Sequence, residues 1–397
     1  MPADTLQRRI GPGLLTAYGV GVMVGAGIYV LTGAAAGAAG IWAPLSFLLA
    51  GLVAVPSALA FAELSARIPE AAGDSAYIEV GLKAHWLAVL VGMINIIAGT
   101  VAAAAVLRGG VGYLTSFIDM PFAWAVVGLG VALIGVAIIG VLESLAFAAI
   151  LTVVEVIGLC LVIWAGMGAE PVAEWVARPL PAIEWNGVAA ATIFGFFAFI
   201  GFDDMVNMAE ETRAPERNMP RAILWALAIT ALLYALVSLA AVRAVPRELL
   251  AGSERPLALV WEAGTGTSAV FLSAIAVAAA LNGVLAQMVM AARVLFGLGR
   301  RSKGFAPFHR AHPRFGTPVL GTVIVGLAVI GAALMLPVAL LAELASQALL
   351  IVFAIVNAAL IGVKRRQPAS PFAVPAFVPW LGIIVCLGAF VASLLGG

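Results

Sequence analysis

The chain has 397 residues, of which 63% are hydrophobic and 10% charged. A water-soluble domain is about half apolar and about a quarter charged, so hydrocarbon is the main solvent here. The net charge of +1 argues against a nucleic acid partner.

Apolar runs of about twenty residues, the length of a helix that crosses a bilayer, recur between polar punctuation. They fall at 13–38, 43–66, 86–107, 122–141, 145–168, 187–209, 221–242, 268–298, 318–336, 338–362 and 376–395. These eleven predicted spans make an all-α integral membrane protein, and 1–397 forms one transmembrane domain. The polar connections at 169–186, 243–267 and 299–317 are too short for another domain. Trp175, Trp185 and Trp261 in the first two suit an interfacial aromatic belt.

The first span contains Gly19-Val20-Gly21-Val22-Met23-Val24-Gly25-Ala26-Gly27-Ile28-Tyr29. Each interior glycine costs a helix about 1 kcal/mol relative to alanine, so the cluster weakens it at mid-membrane. Gly21 and Gly25 also form a G-x-x-x-G pair, which close helix packing alone would explain. A cleaved leader would account for Arg8, Arg9 and Ala34-Ala35-Ala36, but the run is long, rich in glycine and followed by many spans.

In the fifth span Glu155 has no cation within four residues. Carboxylates at this depth cost about 2.5–3.5 kcal/mol and mark function by default. Two readings stand: a group that binds the coupling proton, and a structural carboxyl bonded to a neighbouring helix.

The sixth span reads Phe194-Gly195-Phe196-Phe197-Ala198-Phe199-Ile200-Gly201-Phe202-Asp203-Asp204. Two glycine-interrupted spans, five apart, are what transporters built from inverted repeats show at their binding site. Non-helical backbone at this depth requires a polar cavity or protein around it. The freed amides of one half-helix attract a carboxylate and the freed carbonyls of the other an ammonium. Asp203 and Asp204 lie about 100° apart on an α-helix, so Asp203 is taken as the one facing the path, with a purely structural role as its alternative. Glu63, Glu210 and Glu211 read as ion-pair partners of Arg67, Arg213 or Arg217, and Asn282 and Gln287 on the eighth span as interhelical hydrogen-bonders.

With the N-terminus cytoplasmic, sixteen of the 21 Lys and Arg fall on the cytoplasmic side and five opposite, which sets that orientation. Cys160 and Cys386 read as small buried hydrophobes. His85, His309 and His312 sit at span ends without metal-site spacing, so no metal is expected.

Several segments carry a family resemblance. They are Gly25-Ala26-Gly27-Ile28-Tyr29, Ala62-Glu63-Leu64-Ser65-Ala66-Arg67-Ile68-Pro69-Glu70, Gly73-Asp74-Ser75-Ala76-Tyr77, Phe199 to Gly201 and Glu210 to Pro220. To these add Arg293-Val294-Leu295-Phe296 and His312 to Pro318. In this order they resemble the amino acid–polyamine–organocation permeases along nearly the whole chain, with Tyr29 where phenylalanine is usual. The resemblance implies a LeuT-type fold, two inverted five-helix repeats (approximately 13–168 and 187–362) with discontinuous helices 1 and 6, plus a helix at 376–395.

By that resemblance, amides near Gly25, Ala26 and Gly27 would bind the substrate carboxylate. Carbonyls near Met23, Phe197 and Ile200, beside Gly201, would take its ammonium. Phe199 or Phe202 would gate, and Asp203 stands where exchangers of the family carry an acidic residue; a coupling role for Glu155 rests on its depth in the membrane and not on the resemblance. Members commonly have twelve helices, and Glu155 stands where some relatives carry a lysine, so their coupling does not transfer.

The implied function is secondary active transport of amino acids across the cytoplasmic membrane by alternating access, as proton symport or exchange. No cofactor is expected beyond a coupling proton, with sodium the open alternative. The partners are an amino acid, the bilayer and, as an open question, a second copy in a homodimer. A polyamine permease of the same fold is the alternative; a membrane-embedded enzyme lacks a convergent catalytic set, and no motif suggests a channel filter.

Overall fold

The computed structural model describes residues 8, 10–69, 73–139, 145–301 and 303–395. Arg9, Glu70 and the last residues of the fourth span, 140–141, lie outside them. The chain forms α1 (Pro12–Val24), α2 (Ala26–Ala39), α3 (Ala43–Arg67), α4 (Gly73–Leu82), α5 (His85–Leu114), α6 (Phe122–Ile139), α7 (Leu145–Gly168) and α8 (Ala173–Val176). It continues through α9 (Trp185–Ala198), α10 (Pro215–Ala244), α11 (Arg247–Ala251), α12 (Pro256–Thr265), α13 (Val270–Arg301), α14 (Val319–Met335), α15 (Val338–Arg366) and α16 (Phe377–Leu395).

Among the described residues, eight helical runs are long and apolar enough to cross a membrane. α1, α9 and α14 are shorter apolar helices. Their outer faces carry Trp124, Ile150, Leu232, Met335 and Ile384, all exposed. On a soluble protein such a surface would aggregate; against lipid it is the expected finish. Proline in the first turn starts α1, α3, α10 and α12, where its missing N–H leaves nothing unbonded.

Three expectations need correction. The connection 243–267 is not a simple polar loop: it folds as α11 and α12, which bury Leu250, Leu257 and Val260. Cys160 is exposed on the outer surface rather than buried, while Cys386 is buried beside Ser57. The second half of the sixth span is a 3-10 helix, Asp204–Glu211, so the 100° α-helical spacing used to choose between Asp203 and Asp204 does not apply there.

At one end of the bundle the helices are tied by charge. Glu63, fully buried on α3, accepts hydrogen bonds from Arg67 Nε at 2.8 Å and Nη2 at 2.5 Å. Its other oxygen takes Lys364 Nζ and the Val374 amide, each at 2.8 Å. The expected Glu63–Arg67 pair is therefore present, with Lys364 of α15 added. Arg67 also donates to the carbonyls of Gln367 and Ala369, so α3 fixes the link between α15 and α16. Nearby, Arg366 donates to the carbonyls of Val80 and Gly81 at the end of α4. There α4 and α15 touch backbone to backbone: a Cβ on Gly81 would lie 2.5 Å from Ala359 O, and one on Gly362 would overlap Gly81 O.

Candidate functional site at the paired helix breaks

Gly25 separates α1 from α2. It donates its N–H to Gly21 O at 3.1 Å and turns the chain at φ −26°, ψ −165°. The first amides of α2, at Ala26, Gly27 and Ile28, have no carbonyl one turn back to bond. Among the described residues no side chain caps them.

The sixth span breaks by a different route. α9 stops at Ala198, and the amides of Phe199 and Ile200 donate to Phe196 O and Phe197 O at 3.0 and 3.1 Å in a tight turn. Gly201 follows at φ +123°, a backbone that side chains rarely adopt. A Cβ there would also lie 2.5 Å from Val22 Cγ1. Both facts require glycine. Asp203 Oδ1 then accepts the Gly201 N–H at 3.0 Å, closing the turn from below.

The two breaks lie against each other. Val22 covers Gly201, and a Cβ on Gly27 would sit 3.2 Å from the Ala198 Cα. Tyr234, midway along α10, joins them: its hydroxyl is 2.5 Å from Met23 O and 2.8 Å from Ala198 O. A phenol has one proton to donate, so these two carbonyls share it. Tyr113 on α5 donates to Tyr29 O at 2.7 Å, and Tyr29 donates to the backbone carbonyl of Glu155 at 3.2 Å. One turn before Glu155, Thr152 fills the space where a Cβ on Gly21 would be. Gly21 therefore serves close packing, whereas Gly25 serves the break.

The residues singled out from sequence thus come together, with their groups already partly engaged. Met23 O is held by Tyr234 and Phe197 O by the Ile200 amide. Of the three carbonyls expected to receive an ammonium, Ile200 O alone has no such partner among the described residues. Phe199 and Phe202 are fully buried, at 5.1 Å from the rings of Tyr234 and Phe353 respectively. In this conformation neither lines an open path. Glu155 is 3% exposed and lies behind Tyr29. Asp203 bonds the turn itself rather than facing a cavity.

Sequence reading missed two residues. Tyr234 carried a signal: a phenol inside an apolar span must find an acceptor. Asp74 is buried at the start of α4, outside the spanning segments. Its Oδ2 accepts Asn95 Nδ2 at 2.9 Å. Burial, and after it the charge of Asp203, push its carboxyl up to about 7, against the lowering effect of the Asn95 bond. Asp204 completes an acidic trio, with Gln287 Nε2 3.5 Å away as a long contact.

Two helices interrupted against each other, inside an all-helical bundle with an apolar exterior, define a membrane transporter. The pattern of the amino acid permease family matches residues 14–396, and the chain belongs to that family. It is an amino acid transporter and not an enzyme. It is 28% identical to the branched-chain amino acid permease BcaP of Bacillus subtilis (strain 168), over 96% of this chain and 87% of that protein. It is 31% identical to the methylthioribose transporter of the same organism, over 99% and 90%. It is also 31% identical to the vacuolar cationic amino acid transporter 4 of Arabidopsis thaliana, covering 91% of this chain and 64% of that longer protein.

Proposed function

We propose that this chain is a secondary active transporter of the cytoplasmic membrane, with its N-terminus cytoplasmic, that moves amino acids by alternating access around the paired breaks. The observation that carries this reading is the set of uncapped amides at Ala26, Gly27 and Ile28 in a helix start that packs beside the end of α9. Those donors suit a carboxylate. An incoming ammonium would compete with the Tyr234 hydroxyl for Met23 O and Ala198 O. Substrate binding would thereby loosen the link between α1, α9 and α10 that holds the breaks together.

A zwitterion uses both halves of such a site, whereas a polyamine leaves the amides unused. The relatives are named for branched-chain and for cationic amino acids. A cationic side chain is the second reading, with Asp203 and Asp204 below the break in its favour. Glu155 is the proposed proton carrier. One charge crossing about 100 mV supplies about 2.3 kcal/mol, enough for roughly fifty-fold accumulation at 1.4 kcal/mol per tenfold.

Reconstituted liposomes test this. Uptake of labelled leucine and arginine should exceed that of putrescine, and an inward acid gradient should raise it. Glu155→Gln should abolish the gradient's effect while sparing exchange. Putrescine competing as well as either amino acid would remove the zwitterion site, and unchanged pH-driven uptake in Glu155→Gln would remove Glu155 as the carrier.

A further inference from the structure

The face of α10 that meets α3 holds a feature that transport does not use. Two hollows run along it end to end. The upper one, of about 400 Å³, has a floor of small residues, Gly51, Ala228 and Ala231, between walls that include Leu52, Val55 and Leu224. The lower one, of about 190 Å³, shares Leu224 and adds Arg217, Pro220, Arg221 and Phe372. On α10 the positions 217, 220, 221, 224, 227, 228 and 231 advance by threes and fours, so they form one continuous face.

The dimensions match half a bilayer. Ten residues separate Arg221 from Ala231, about 15 Å of helix, which is half of the ~30 Å hydrocarbon core. With the orientation proposed above, on which this inference rests, the two arginines sit at the cytoplasmic headgroup level and the groove ends near the midplane. Both are exposed, and among the described residues neither has a carboxylate within ion-pair distance. Glu216 lines the same mouth but stands in the first turn of α10, where amide dipoles favour it. Glu63, the buried acid nearest this end of α3, is taken by Arg67 and Lys364. The mouth is left with two guanidinium groups against one carboxylate.

We propose that this seam is a binding site for an anionic phospholipid, with its phosphate held by Arg217 and Arg221 and one acyl chain lying in the groove above. Guanidinium pairs suit phosphate because their planar N–H forks meet its oxygens two at a time. Basic pockets at the cytoplasmic ends of spanning helices are a recurring setting for such headgroups. A second copy of the chain fits less well. A two-fold contact uses the same patch on both subunits and would set two such arginine pairs at one depth, where they repel.

Native mass spectrometry of the full chain in mild detergent tests the proposal without reading transport, so its failure is distinct from failure of the transport assignment. Phosphatidylglycerol should remain bound where phosphatidylcholine with the same acyl chains is lost, and free glycerol phosphate should not displace it. The double variant Arg217→Gln/Arg221→Gln should weaken phosphatidylglycerol retention about tenfold or more. Ala228→Leu, which fills the groove floor and leaves both charges, should weaken it as well. Circular dichroism melting without lipid checks that the variants are folded. Equal retention of the two lipids, or unchanged retention in the double variant, would overturn the site. Displacement by glycerol phosphate would reduce it to an anion site, and a change of oligomeric state in Ala228→Leu would assign the groove to a second copy; either result defeats the proposal.

Discussion

Tyr234 has one proton and two carbonyls within reach, and those carbonyls end the two helix halves that meet at the breaks. Removing the hydroxyl leaves both oxygens bare in a buried setting, which costs about 1–3 kcal/mol. Tyr234→Phe should therefore lower the melting temperature in detergent and enlarge substrate-induced stabilisation in the same assay, because an ammonium would no longer compete with the hydroxyl for those carbonyls. A variant that melts and responds like the parent would show that the hydroxyl does not join the breaks. Asp74 permits a pH argument. Its folded-state carboxyl is raised from 3.8 to about 7, first by burial and then by Asp203. A raised carboxyl means the native state holds the proton longer than the unfolded chain does. Its contribution to stability is thus full below 3.8 and is lost as pH rises through about 7. Asp74→Asn should flatten the fall in melting temperature across that window; an identical pH profile would contradict the assignment. At this scale the sequence was informative where backbone chemistry decides, as at Gly25 and Gly201. It was silent on which hydroxyl would meet a freed carbonyl, because Tyr234 is some 200 residues from Met23 along the chain and only the packing of α10 brings them together.

The elements extend this contrast. Helix interruption at both spans was legible, since glycine within an apolar run is costly unless something is gained from it. The form of each break was not. α1 resumes as α2 after a single residue, whereas the sixth span loses its α-helical geometry for the remainder of its length. A charged run such as Glu210-Glu211-Thr212-Arg213 gives no periodic signal to separate 3-10 from α. The 3-10 segment ends in a contact with the residue that leads into α1. Ile10, just before α1, pairs with Thr212 as an isolated parallel bridge: its N–H donates to Glu211 O at 3.0 Å and its carbonyl accepts the Arg213 N–H at 2.9 Å. The entry to the first span and the exit from the sixth are therefore tied at one end. Neighbouring strands lie about 4.8 Å apart, within the range a disulfide spans. Oxidation of Ile10→Cys/Thr212→Cys should arrest uptake in liposomes, with recovery on reduction. Full transport by the cross-linked protein would mean that this end need not open.

Across the whole molecule, composition alone identified the solvent, and the apolar runs located nearly every long helix. What stayed hidden were the short elements outside the bilayer pattern: α4, α11 and α12 have too few apolar positions to stand out, yet each buries side chains against the bundle. Among the described residues there are eight long apolar runs and three shorter helices; α1 and α9 are the first halves of the broken spans, and the run Gly27–Arg67 holds both the second half of the first span and the whole of the second.

The backbone contact between Gly81 and Gly362 has a mechanical corollary. With no side chain between them and Arg366 clasping the end of α4, α4 must ride with α15 as one lever, and any pivoting falls to the joints at its two ends. Both joints are left-handed: Gly73 at φ +56° and Lys83 at φ +53°. For lysine that conformation costs about 1–2 kcal/mol. Lys83→Gly should therefore raise the melting temperature while making the elbow looser, so that a sturdier protein turns over at a changed rate. A drop in melting temperature would mean that the lysine side chain, and not the bend, is what this joint requires.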